Sequence, residues 1–304
     1  MFSKKISLAL FVLLINSSYV LAVEKNSYEL SRHDMKSYTI PEELSCLFDN
    51  PPMVHPYKNI MFFVPCKSGS TTLLYWFLFH VLNTPKTDID AAGHIYQYRR
   101  WLFGHLFEDA YPNLNEYLKA LVVRNPYART VSSFLHCCKV KTVPFIDAMK
   151  KKFSTTSIDK ILSKVTFEDY IEFLENQNIT QCDFHYRAQT TFLLFSQIDI
   201  IIHLENLGKE LAYVCQPFDI STSFNPLFTS EGRNSLGEKI DLPNELYFSE
   251  VPYSEIQDLV FQYSGKNAWP NFRHFFTPEI INRVQKIYSY DFENLDYSLN
   301  PFLD

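Results

Sequence analysis

Glycine is scarce in this chain: 7 among 304 residues, against 27 phenylalanines and 19 tyrosines. That balance excludes a linker-rich or low-complexity protein and leaves a well-packed one. No internal repeat or charge block interrupts it. Cations are not in excess either. The net charge of -6 sets aside a general nucleic-acid binder as a function class. The 6 cysteines include no C-x-x-C pair, so the usual zinc signature is missing and no metal is expected. The phosphate loop Gly-x-x-x-x-Gly-Lys-Ser/Thr is also missing. Here Lys67 precedes Gly69, and ATP-kinase and GTPase chemistry lose their main support.

Long hydrophobic runs are lacking too. Lys4 and Lys5 precede a short apolar stretch, Ile6 to Ile15, which Asn16-Ser17-Ser18 interrupts before Val20-Leu21-Ala22. A cleaved signal peptide suits that length better than a spanning helix, although residues 6–23 are just long enough to span. Either way the rest of the chain enters the secretory lumen. There Asn178-Ile179-Thr180 is a usable glycosylation sequon, and the cysteines are free to form disulfides.

What the chain does have is two loops of one kind. Ile60 to Val64 is an apolar run suited to a buried parallel strand. It breaks into Pro65-Cys66-Lys67-Ser68-Gly69-Ser70-Thr71-Thr72. Gly69 permits a turn, and the three hydroxyls after it can cap a helix or donate to phosphate oxygens. Leu73, Leu74, Phe77, Leu78 and Val81 then recur at helical spacing. Ala120 to Val123 is a second apolar strand, with Arg124 at its carboxyl end, where open α/β sheets bind ligands. Pro126 keeps Asn125 out of the helix that follows. Ser132 falls about two turns beyond Arg124. An arginine fork with a serine hydroxyl suits a terminal phosphate.

Lys67-x-x-Ser70-Thr71 and Val123-Arg124-x-Pro126-x-x-Arg129-x-x-Ser132-x-Phe134 resemble the two cofactor motifs of the Golgi carbohydrate sulfotransferases. The resemblance is closest to the chondroitin 4-O-sulfotransferase branch. Further stretches agree: Thr166 to Leu174, Cys182-x-x-His185-x-x-x-Gln189, Ile198 to Leu207, and Ile287 to Tyr297 with its Asp291-Phe292 pair. One departure is Cys66, which separates Pro65 from the motif lysine.

The resemblance implies an α/β, P-loop-like three-layer fold with a central parallel sheet and flanking helices. It divides the chain into a signal peptide or anchor (1–22), an extended lead-in (23–57) and a sulfotransferase domain (58–304). It implies 3′-phosphoadenosine 5′-phosphosulfate (PAPS) as sulfuryl donor, without metal. Lys67, Ser68, Gly69, Ser70, Thr71 and Thr72 would face the phosphosulfate, and Arg124 and Ser132 the 3′-phosphate. The acceptor is expected to be a glycan, such as a glycosaminoglycan on a proteoglycan, in the Golgi lumen. The protein would be held by a single N-terminal anchor or released by signal cleavage. Lys67 would meet charge on the leaving group, and His105, before the second motif, is the expected general base, followed by His94 and His185. Tyr98 to Trp101 and the lysines at 139, 141 and 150–152 are candidates for a basic acceptor patch. The rival readings are a degenerate sulfotransferase-fold binding protein and a nucleotide kinase with an atypical phosphate loop.

Overall fold

The computed structural model describes residues 50–82, 95–190, 195–222, 239–243, 246–265 and 268–302. The targeting segment, most of the lead-in, Cys46 and His94 lie outside these residues. Among the described residues no helix is long and apolar enough to cross a membrane.

A four-stranded sheet runs in the order β1 (Met53–Val54), β2 (Ile60–Phe63), β3 (Leu118–Val123), β4 (Ile200–His203). The last three are parallel, with Ile60 opposite Leu118 and Ala120 opposite Ile200; β1 is an antiparallel edge. The β2 and β3 runs are apolar because both faces are covered: every β2 residue is buried, and all of β3 except Leu118. This is the expected α/β arrangement, a central, mostly parallel sheet flanked by helices.

Two cores divide the packing. Around the sheet, Phe62, Val122 and Ile202 meet α1 (Ser70–Trp76), Phe103 of α2 (Ile95–Ala110) and Leu211 of α7 (Leu207–Cys215). The second core is built on α3 (Pro126–Val140). There Phe134 packs edge-on to Phe167 and against Tyr170 of α6 (Phe167–Glu175). Two further helices, α4 (Val143–Phe153) and α5 (Ile158–Leu162), occupy the basic stretch expected as helix and loop. Beyond the sheet lie α8 (Ile256–Ser264), α9 (Pro278–Ile287) and α10 (Ser289–Asn294).

Caps explain where the helices start. Asn125 accepts from the Tyr127 and Ala128 amides ahead of Pro126 at the first helical position. Thr166 and Asp169 form a reciprocal capping box at α6, and Thr277 caps α9 ahead of Pro278. Two expectations shift. The helix expected through Val81 becomes a π-helical turn at Phe77–Val81. The hydroxyls after Gly69 do not cap α1; Gly69 itself occupies the N-cap in the left-handed region, at φ 79°.

Gly69 is needed there for a second reason, since an added Cβ would approach Leu204 Cδ1 to 2.5 Å. Gly69→Ala should therefore lower stability by about 1–3 kcal/mol, as read by urea unfolding.

Candidate active site

Both motif loops leave the carboxyl edge of the sheet, one after β2 and one after β3, so neighbouring parallel strands deliver them side by side. Polar bonds then tie them together. Arg124 Nη1 donates to the Lys67 carbonyl at 3.0 Å, and Arg129 Nε donates to the Cys66 carbonyl at 3.0 Å. Two cations of the second motif thus hold the backbone of the first, in which Lys67 adopts φ 70°.

Gln189 completes the junction. Its Oε1 accepts from Ser68 Oγ at 2.8 Å and from the Arg124 amide at 2.9 Å, and its Nε2 donates to the Arg124 carbonyl at 2.9 Å. The fully buried Asp291 carboxylate anchors this residue, accepting from the Gln189 amide at 2.9 Å, the Thr190 amide at 3.0 Å and Thr190 Oγ1 at 2.8 Å. On the other side Glu205 accepts from the Asn125 amide and from Tyr297 Oη, both at 2.9 Å.

These bonds leave a concentration of donors. Arg129 is 2% exposed, and its buried Nη2 has no hydrogen-bond acceptor among the described residues. Ser132 lies on the same stretch of α3, nearly buried, its hydroxyl unbonded among the described residues. Burial lowers the Lys67 ammonium to about 8, and the charges of Arg124 and Arg129 push the same way. The first-turn amides of α1, at Ser70, Thr71 and Thr72, lie at the positive end of its dipole. Such a set suits an anion with several oxygens. Among the described residues no group of three His, Cys, Asp or Glu is placed to hold a metal ion.

The sequence profile of the sulfotransferase family matches residues 52–298. The chain belongs to the sulfotransferase family. No curated protein matches it, and no solved structure does.

The structure brings Lys67, Ser68, Gly69 and Arg124 to one junction and sets Ser132 about one turn beyond Arg129 on α3, but Ser68 is fully buried with its hydroxyl committed to Gln189. His105 stands on α2, its side chain 53% exposed and its Nδ1 3.4 Å from Glu108. The His185 ring lies 4.2 Å from that of His136, on the helix that carries Arg129 and Ser132. In the basic stretches, Arg99 is buried and donates to the Pro51 carbonyl, Lys150 pairs with Asp147, and Lys152 pairs with Asp169 and Glu172. Among the described residues no disulfide forms. Cys66, Cys137, Cys138, Cys182 and Cys215 are free thiols, three of them sealed in the cores.

Sequence reasoning missed the work of Gln189, Asp291, Arg129 and Asn125. The first two stood inside family-like stretches without a role, and only the fold shows that they meet. Asp291→Ala should cost about 3–5 kcal/mol, because it orphans two buried amides at once. Denaturant unfolding, compared with a surface control such as Glu293→Ala, measures it.

Proposed function

We propose that this sulfotransferase moves a sulfuryl group from PAPS to a hydroxyl of a glycan, a chondroitin-like glycosaminoglycan by preference, in the lumen of the secretory pathway. The observation that carries the reading is the cationic junction of two strand-end loops, with a buried arginine nitrogen left for a ligand oxygen. The donor set fits PAPS. Lys67 and the α1 amides would hold the phosphosulfate, and Arg124 and Ser132 the 3′-phosphate. Bound PAPS supplies an activated sulfuryl group, so the protein's part is alignment and charge stabilisation. Lys67 would neutralise charge at the bridging oxygen of the leaving bisphosphate.

The glycan and the compartment rest on the motif resemblance and on the sequence. Asn178 and Thr180 are both exposed, and Thr180 Oγ1 donates to Asn178 Oδ1 at 2.7 Å. Made in animal cells, the protein should lose mass on endoglycosidase treatment, and Asn178→Gln should remove that shift. A wholly cytosolic protein would overturn the lumenal assignment.

Calorimetry with adenosine 3′,5′-bisphosphate should show binding without metal, and Arg124→Ala should weaken it by about 2–4 kcal/mol. Labelled PAPS with a panel of desulfated glycans then identifies the acceptor. Preference for ATP–magnesium over the bisphosphate would sink the reading.

The lysine adds a pH signature. Its ammonium titrates near 8 in the free protein instead of at 10.5. Above pH 8 the anion must therefore recruit a proton to Lys67 on binding, and affinity should fall by up to about tenfold per pH unit. Lys67→Arg, cationic throughout, should flatten that fall. The free protein should respond in the opposite sense. Its folded state holds fewer protons than the unfolded chain between 8 and 10.5, so this group adds stability as pH rises across that window.

A further inference from the structure

The face of α3 that carries Arg129 and Ser132 continues, one turn on, to His136, because positions 129, 132 and 136 follow helical spacing. His136 does not end the array. Its ring lies 4.2 Å from that of His185 at an interplanar angle of 33°, and Phe184 stands 4.3 Å from His185 on the chain itself. His185 is fixed twice by one carboxylate: Asp183 Oδ1 accepts from the His185 amide at 2.9 Å and lies 2.8 Å from its Nδ1. Ser133 Oγ donates to the His185 carbonyl at 2.9 Å and is itself bonded by Tyr170 Oη at 2.7 Å. The backbone and ring of His185 are thus both held from fixed elements.

An imidazole whose Nδ1 faces a carboxylate carries its proton on that nitrogen and presents Nε2 as a lone pair. The His185 side chain is 20% exposed, so Nε2 is not sealed in a core. Its neighbour His136 is unsuited to the same work. Burial, with the positive charge of Lys67 beside it, lowers His136 to about 3. It stays neutral, its ring against that of His185. The charged and titratable groups acting on this cluster are Lys67, Lys139 and Asp183, and Asp183 also acts on Cys66, the residue before the motif lysine. Geometry ties the pair to the junction through α3, which carries His136 against His185 and Arg129 against the Cys66 carbonyl.

We propose that His185, oriented by Asp183 and backed by His136, is the general base of sulfuryl transfer; this rests on the reading of the site as a PAPS-dependent transferase. His185 Nε2 takes the proton of the acceptor hydroxyl as that oxygen bonds to sulfur. The bond between sulfur and the phosphate oxygen breaks, and its electron pair leaves on the phosphate oxygen, where Lys67 meets the charge. Asp183 keeps the ring in the receptive tautomer and faces the imidazolium once the proton has arrived. Asp183 and His136 are positioning residues. The acceptor hydroxyl would then approach from the side of α3 and the 183–185 turn.

Three measurements on the full chain test this. Transfer from labelled PAPS to the best acceptor of the desulfated panel should fall about 10²–10⁴-fold in kcat for His185→Ala and for His185→Gln. Adenosine 3′,5′-bisphosphate affinity should stay within about twofold of wild type. Nitrogen-15 spectra at pH 8.5 should show His185 protonated on Nδ1, and Asp183→Asn should both erase that preference and lower kcat, with the melting temperature recording folding. Near-normal kcat in both His185 variants overturns the assignment. So does a loss carried by His105→Ala instead, or a bisphosphate affinity that falls in step with kcat. A wild-type protein that binds no bisphosphate overturns the transferase reading, and the base assignment with it. A wild type that binds and turns over while His185→Ala keeps full kcat overturns the base alone.

Discussion

One side-chain amide holds this site together. Gln189 is 1% exposed, so each of its polar atoms needs a partner inside the protein. It finds them in the first loop at Ser68, in the second at both backbone groups of Arg124, and near the C-terminus at Asp291. A carboxamide presents an acceptor and a donor side by side, which lets it pair with the amide and the carbonyl of one residue at once. A carboxylate in its place would repel the Arg124 carbonyl, and an apolar residue would orphan three groups. Gln189 therefore sets the spacing of the two loops, and the geometry of the cations follows from it.

That spacing has an electrostatic cost. Lys67, Arg124 and Arg129 carry like charges within reach of one another, and burial makes each charge harder to keep. The chain offsets part of this with carbonyls: Cys66 takes the Arg129 Nε–H and Lys67 takes an Arg124 Nη1–H. Glu205 supplies the nearest opposite charge and raises the Tyr297 phenol, burial being the larger cause. What remains uncompensated is Lys67, lowered to about 8, and one guanidinium nitrogen of Arg129. A bound anion would offset both.

How much of this was legible in the sequence depends on distance along the chain. The strands were legible because a parallel strand buried on both faces is a continuous apolar run, as in Ile60 to Phe63. The start of α3 was legible because Pro126 constrains the residue before it, and the cation pair was legible as a pattern. The partners of that pair were not. Gln189 lies 121 residues from Ser68 and 102 from Asp291, and no local periodicity records such a pairing. Asn125 carried no role in sequence beyond preceding Pro126, yet its side chain caps α3 while its amide bonds Glu205. The cysteines misled for a related reason. A lumenal compartment permits disulfides, but Cys137 and Cys138 follow one another on a helix and point into packed apolar surroundings, and pairing needs a second thiol at bonding distance.

His105 falls between the two motifs in sequence and stands exposed on α2 beside Glu108. His136 and His185 come from α3 and from the turn that leads to Gln189, and the fold sets their rings in contact. Their environments then diverge. One ring faces burial and a lysine, which hold it neutral; the other has its Nδ1 against a carboxylate. Two identical side chains in contact are thereby assigned different work by their neighbours. The turn that places His185 is the same one that delivers Gln189 to the loops, only four positions later. The group that would remove a proton and the group that spaces the cations are therefore fixed by a single short segment, anchored at its far end on Asp291. A displacement of that segment would move His185 and Gln189 together, and with Gln189 the two loops that it spaces.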